Sequence, residues 1–273
     1  MQAREAAPSE GAAPEGEAIF AQMLVGIDET PESLVAAAQV GALRAPGGHI
    51  VLLAVAERYL AAQAGLAAPH AENELVARTE ADLERARELV DADDAIMGSG
   101  HLVDVLCAEG ARRRATLIAV GVRPHKRLAA LTFGGHDVEA LHDASCSVLI
   151  ARPGWGPAKP DKVVVALDGS PESRAAETVG RSLARRLGRE VVPVIGLGDD
   201  IELAVLREER DEALLDPGRL VDAVVHASSR ASLVVVGRGR EHGARWGGSR
   251  SERVVYSARC SVLVVQHEPD AAR

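Results

Sequence analysis

Aromatic residues are scarce: Phe, Trp and Tyr make up 2% of the 273 positions. A core with so few rings must be built mainly from Val, Leu, Ile and Ala, which suits helices packed on sheets. The same scarcity leaves few platforms on which single-stranded nucleic acid could stack. Basic charge is short as well. With 31 Lys and Arg against 40 Asp and Glu, the net charge of −9 has the wrong sign for a duplex-binding footprint. Lysine occurs only at 126, 159 and 162, a bias we attribute to genome composition. Nowhere does an apolar run approach the roughly 18 residues that a membrane span needs. The opening MQAREAAPSEGAAPEGEA has no apolar h-region, so residues 1–18 read as a mobile acidic tail and not as a signal peptide. Three cysteines, Cys107, Cys146 and Cys260, show no CxxC spacing. An odd count suits reduced thiols in a cytoplasm, each acting as a small buried hydrophobe.

What the chain does have is a repeat. LVGIDETPES (24–33) and VVALDGSPES (164–173) lie 140 positions apart and spell the same strand, Asp, turn and Pro-Glu-Ser. The apolar runs MLVGID (23–28) and VVVALD (163–168) read as strands buried on both faces. Thr30 and Ser170 stand at N-cap positions, with Pro31 and Pro171 just inside, where a missing N–H costs nothing. These helices should run to about Arg44 and Leu187, and second strands follow at 49–56 and 190–197. The first half continues with a long helix over 71–92, whose apolar positions are Leu75, Val76, Leu83, Leu89 and Val90. A short strand near 95–97, a helix over 101–114 and the strand TLIAVG (116–121) come next. The second half is abbreviated. About twenty residues between Gly196 and Pro217 leave room for a short helix and a minimal third strand, before a helix over 218–230 and the strand SLVVVG (232–237).

Both halves close on a Gly-rich loop, a short helix and a last strand, CSVLIA (146–151) and CSVLVV (260–265). The expected fold class is α/β: two tandem doubly wound, mostly parallel five-stranded sheets. The first domain spans 19–152 and the second, abbreviated domain spans 161–268, with a Pro/Gly linker at 153–160 and a tail at 269–273. The final strands are apolar and would lie at sheet edges, so the halves should pack as an intramolecular pseudo-dimer through them.

In such sheets a ligand sits beyond the carboxyl ends of the strands. Three features of each repeat reach that edge: Asp28 or Asp168 after the first strand, Gly121 or Gly237 after the fourth, and the helix start after the Gly-rich loop. In the second half GRGREHGARWGGSRSERV (237–254) offers Gly237 for close backbone approach and Gly248-Ser249 to open a helix. The free N–H groups of that helix suit a phosphate. Ser249 and Ser251 add hydroxyls and Arg250 adds charge. The plainer reading is a glycine turn with a serine N-cap, and for the two Asp residues a strand-end turn.

Strand-Asp, strand-Gly, Gly-rich loop, GS-x-S-E-R-V and A-x-C-x-V-L-V-V, in that order, resemble the universal stress protein family in its tandem form, most specifically at 163–173 and 231–265. The resemblance implies a fold akin to the adenine nucleotide alpha hydrolase-like group. In ATP-binding members G-x-x-G, nine residues and G-S/T hold the phosphates, and the first-strand Asp contacts adenine. Carried onto this chain, the nucleotide site of the second half comprises Leu167, Asp168, Gly237, Gly248, Ser249, Arg250 and Ser251. A weaker site in the first half comprises Ile27, Asp28, Val55, Gly121, Gly134 and Gly135. The pattern is broken in both. Pro124 takes the second glycine position of the first half, Gly135 stands for the serine, and Asp137 would oppose phosphate. In the second half Arg240 takes the second glycine position and the loop is two residues shorter. The partner of Val55 there is Ile195 or Gly196, and both stay open.

His125, His136 and His142 cluster without metal-ligand spacing, and no Ser/His/Asp or Cys/His set points to hydrolysis. The expected role is therefore binding and not catalysis, with at most a slow ATPase. The protein would be a cytoplasmic stress-response sensor or regulator binding an adenine nucleotide, ATP with magnesium, mainly in the second half. It would hand occupancy to an unidentified protein partner, without nucleic acid or membrane, and two chains could associate further. The alternative is a nucleotide-free scaffold in which both sites have decayed.

Overall fold

A computed structural model describes residues 19–28, 30–56, 69–122, 144–154, 162–196, 220–239 and 249–267. The first half contains β1 (Gln22–Ile27), α1 (Pro31–Leu43), β2 (His49–Ala56), α2 (Pro69–Val90), β3 (Asp94–Ser99), α3 (Leu102–Arg113), β4 (Leu117–Gly121) and β5 (Ser147–Ala151). The second contains β6 (Lys162–Leu167), α4 (Pro171–Leu187), β7 (Glu190–Ile195), α5 (Leu220–Ala227), β8 (Leu233–Gly237), α6 (Arg250–Ser257) and β9 (Ser261–Val265), with a 3-10 turn over Ser228–Arg230 after α5. The short helix and third strand expected between 197 and 217 lie outside the described residues, as do the tails and 155–161.

The mostly parallel sheets of the two halves join edge to edge. All nine described strands form one sheet in the order β3-β2-β1-β4-β5-β9-β8-β6-β7. Neighbours within each half are parallel, and only β5 and β9 run antiparallel. The reason is the one that made the final strands conspicuous in sequence: each is fully buried along its length and could not remain an open edge. They pair Val148 with Val264, Leu149 with Leu263 and Ile150 with Val262. Leu149 and Leu263 hold the same place in the repeat, so the ladder is symmetric about that central pair.

Two apolar layers cover the sheet, and each crosses the seam between the halves. One packs Leu102 and Leu106 of α3, Val221 and Val224 of α5 and Val254 and Val255 of α6 against alternate strand residues. The other packs Ala36, Ala37 and Val40 of α1, Leu83 and Ala86 of α2 and Ala176 and Leu183 of α4 against the rest. Strand residues buried on both faces thus explain the unbroken Val/Leu/Ile runs. In α2 the buried stripe is Thr79, Leu83 and Ala86, with Val90 partly covered. Leu89, counted with the apolar face in sequence, is 54% exposed, because a helix of period 3.6 cannot bring both 86 and 89 squarely onto a stripe set by 79 and 83. Pro193 lies in β7, the outermost described strand of its half, where an absent N–H interrupts no inner ladder. Cys146 and Cys260 are buried and Cys107 partly so, all as free thiols. Burial pushes the Cys146 thiol up to about 11.

Candidate functional site

Strand β6 delivers Asp168 to the carboxyl edge of the sheet, followed by Gly169 at a φ of 81°. Asp168 Oδ1 accepts hydrogen bonds from the Ser170 amide (3.0 Å) and hydroxyl (2.6 Å), which closes the turn. Ser170 Oγ in turn accepts from the Ser173 amide at 3.1 Å and caps α4. The plain turn role is therefore filled, by one oxygen. The other, Oδ2, faces Arg250 Nη1 at 3.6 Å. Burial raises the Asp168 pKa, but the hydroxyl and amide of Ser170, the Ser173 hydroxyl and the Arg250 charge outweigh it. The net result lies below the usual carboxylate value.

Opposite stands the start of α6. Ser249 is its N-cap: Oγ accepts from the Glu252 amide at 3.2 Å and lies 3.1 Å from Ser251 Oγ. Both serines are buried, and Arg250 projects between them, half exposed. Because Ser249 Oγ is used as an acceptor, its proton is available to Ser251 or to a ligand. Between Asp168 and this helix end lies a cavity of about 220 Å³. Ala166, Leu220, Val221, Val224, Val236 and Val254 make it apolar, and Asp168, Ser170, Glu172, Ser173, Gly237, Gly239, Ser249, Arg250 and Ser251 complete the lining.

Five of the residues read from sequence thus converge: Asp168, Gly237, Ser249, Arg250 and Ser251. The reason for Gly237 needs correction, however. A Cβ there would stand 2.5 Å from the Glu172 carbonyl carbon and oxygen, so glycine lets β8 pass the first turn of α4. Gly121 is held in the same way against the Glu32 carbonyl of α1. The close approach is to the protein's own backbone first, and to the cavity second. Leu167 is a further correction: its side chain packs with the layer formed by α1, α2 and α4, away from the cavity. Ile27, its counterpart, is fully buried in the same layer. Gly248, Gly134 and Gly135 lie outside the described residues, as do Pro124, Asp137, Arg240, His125, His136 and His142.

In the first half Asp28 Oδ1 accepts from the Thr30 amide (2.9 Å) and hydroxyl (2.5 Å), repeating the Asp168 turn. Val55 lies in the other layer, against Leu24, Leu53 and Val120. Strand register settles its partner. Ile27 pairs with Ala54 and Leu167 pairs with Ile195, so Val55 corresponds to Gly196. Reasoning from sequence missed Ser170, Glu172, Ser173 and Gly239. The first three were visible in S-P-E-S, the counterpart of T-P-E-S in the first half, around the helix start. Gly239 stands one residue before the position where the second glycine was sought, and its built Cβ would come 3.9 Å from Ser249 Cβ. Among the described residues no group of three His, Cys, Asp or Glu side chains is placed to hold a metal ion, and no helix is long and apolar enough to cross a membrane.

Comparison with known proteins gives the following. Residues 20–152 match the model of the universal stress protein family. The crystal structure of a universal stress protein from Archaeoglobus fulgidus DSM 4304 superposes with a TM-score of 0.69 at 17% identity, covering 92% of this chain and 98% of that one. A functionally unknown protein from Pseudomonas aeruginosa PAO1 superposes with a TM-score of 0.56 at 18% identity, over 90% of this chain and 92% of that one. At these identities the likeness is one of fold. No curated protein matches the sequence.

Proposed function

We propose that the chain, whose residues 20–152 match the universal stress protein family, is a cytoplasmic stress-response protein that binds an adenine nucleotide in the cavity of its second half. The observation that supports this most is the convergence of Asp168, Gly237 and Ser249 to Ser251, from three separate stretches of sequence, on one cavity with an apolar floor. An apolar floor suits a base, a carboxylate suits its polar edge or a ribose, and a serine-capped helix start beside an arginine suits phosphate. The cavity's volume of about 220 Å³ is below the roughly 300–1,000 Å³ usual for a ligand site, so part of the nucleotide would lie along the rim. A magnesium ion would arrive on the phosphates, keeping most of its water ligands.

Calorimetry with ATP, ADP and AMP on the full chain tests the reading. One nucleotide per chain is expected. Ser249→Asp keeps a good helix cap but sets a carboxylate against the phosphates, so affinity should fall at least about tenfold with folding stability kept. Unchanged affinity in that variant would sink the assignment.

A second reading is favoured by one feature: the polar groups of the cavity already satisfy one another, Asp168 with Ser170 and Arg250, Ser249 with the Glu252 amide. Such a site is stable empty, as a scaffold would require. Mass spectrometry of small molecules released from freshly denatured protein separates the two. In either reading turnover is slow. Asp168 is committed to its turn, which leaves Glu172 as the other described carboxylate lining the cavity, and acceleration needs groups that bind the transition state better than the ground state. Phosphate release should stay far below the roughly 10 s⁻¹ median of enzymes. A rate near that median, abolished by Glu172→Gln, would overturn this.

A further inference from the structure

We propose that Arg152, a residue of the first half, positions the helix that faces the second-half cavity, so that ligand binding depends on the seam between the halves. This rests on reading that cavity as a nucleotide site. Helix α6 has eight residues, too few to hold its shape unaided. Its last carbonyls have no partner within the helix. The Val254 carbonyl is taken by the Ala258 amide at 2.8 Å, and the Val255 carbonyl accepts from Arg152 Nη2 at 2.5 Å. Arg152 Nη1 reaches on to the Cys260 carbonyl at 3.3 Å. A cation at a helix carboxyl end also complements the helix dipole.

The clasp is fixed from behind. Arg152 is 3% exposed and follows β5 directly. Its amide donates to Ser261 Oγ at 3.0 Å and its carbonyl accepts from Gln39 Nε2 at 2.9 Å, while Ser261 Oγ donates to Gln39 Oε1 at 2.8 Å. A planar fork bridging two carbonyls is a task for arginine, which lysine performs poorly. A tie also runs the other way. Arg238, next to Gly237 of the cavity, donates from Nη1 to the Ala144 carbonyl of the first half at 2.5 Å. The cavity is thus bound to the first half at two of its walls.

The test uses the full chain carrying Arg152→Met or Arg152→Lys. Without nucleotide, amide hydrogen exchange should quicken across 250–257 in Arg152→Met while β1 and α4 keep wild-type protection, with Arg152→Lys in between. By calorimetry at a temperature where every variant is folded, ATP affinity should weaken about three- to thirtyfold in Arg152→Met. Exchange that quickens uniformly over the sheet, or a wild-type affinity in Arg152→Met, would overturn the proposal. If Arg152→Met does not fold, the same two readouts on Arg152→Lys decide. Should ATP bind to none of the proteins while α6 alone loosens, the nucleotide reading falls and the positioning role stands. Should ATP bind all equally with α6 unchanged, the reverse holds.

Discussion

The two halves share a plan and part company on one face of the sheet. Gly26 and Ala166 hold the same place, two residues before the strand-end Asp. A Cβ built on Gly26 would lie 2.8 Å from Leu106 Cδ1, so the leucine of α3 stands directly over that strand. In the second half Ala166 faces the cavity instead, with the smaller valines of α5 beyond it. The exchange of a leucine for open space, on an otherwise common scaffold, accounts for where the described cavity lies. The family match falls on residues 20–152, whereas the site geometry falls on Asp168 to Val254. The likeness to the family is written in the scaffold, and the site is set by a handful of side chains laid over it.

The strongest test of this comparison lies at the seam, where the halves should be alike. Leu149 and Leu263 are fully buried and pair with each other at the centre of the β5–β9 ladder. Leu149→Ala and Leu263→Ala should each cost about 2–5 kcal/mol, by nearly equal amounts. Thermal unfolding should stay a single transition in both. Two transitions in Leu263→Ala, with the first half unaffected, would break the picture of one shared sheet.

Next in size come the paired glycines. Gly121→Ala and Gly237→Ala both force a methyl group into helix backbone, of Glu32 and Glu172, and should lower stability by about 1–3 kcal/mol or more. The Gly121 clash is the tighter, so it should be the costlier of the two. Calorimetry then sharpens the contrast: only Gly237→Ala should also weaken nucleotide binding. A Gly237→Ala protein with native stability and lost binding would restore the purely ligand-directed role read from the sequence.

Those glycines show what a sequence can and cannot convey. Strand, Asp, turn, Pro and helix follow one another within ten residues, so their local chemistry is legible and recurs in the structure as β1-α1 and β6-α4. Gly237 was legible as a position that tolerates no side chain. What crowds it, the backbone at Glu172, is distant in sequence and appears only when β8 lies beside β6. The partner of Val55 stayed open for a similar reason: only pairing register, Leu167 with Ile195, chooses Gly196. Pairing of the final strands could be anticipated because unpaired apolar edges are costly, but Arg152, Gln39 and Ser261, which surround that pairing, carry no sequence pattern that joins them.

At the level of the site, Asp168→Asn should weaken nucleotide binding about tenfold or more while Asp28→Asn leaves it unchanged, since among the described residues an arginine and a cavity accompany the former and not the latter. Acid should tell on the same group. Its folded pKa is depressed, so its stabilising contribution is complete above the unfolded value of about 3.9 and is lost as pH falls through the lower folded value. Denaturant titrations between neutral pH and pH 2 should show less acid loss in Asp168→Asn than in wild type. An equal slope would mean that the contacts around Asp168 do not favour its charged form.

The smallest expected difference concerns the two helix caps, and it isolates a single hydrogen bond. Thr30 and Ser170 both precede a proline at the helix start, and both hydroxyls donate to the strand-end Asp. Ser170 Oγ also accepts from the Ser173 amide at 3.1 Å, whereas Thr30 makes no such side-chain cap. The Ser33 hydroxyl bonds back to the carbonyls of Asp28 and Thr30, and the Ser173 hydroxyl likewise to that of Ser170, so the cap is what sets the two starts apart. Losing an N-cap bond typically costs about 1 kcal/mol. Ser170→Ala should therefore exceed Thr30→Ala in stability loss by roughly that amount, once the bond to Asp that both lose is subtracted as a common factor. Ser170→Ala should also shift the acid limb of the stability profile upward, because its hydroxyl and amide are the main groups holding the Asp168 pKa down and the hydroxyl is removed. Equal losses in the two variants would show that the cap contributes nothing beyond the Asp turn, and that the helix starts of the two halves differ only in appearance.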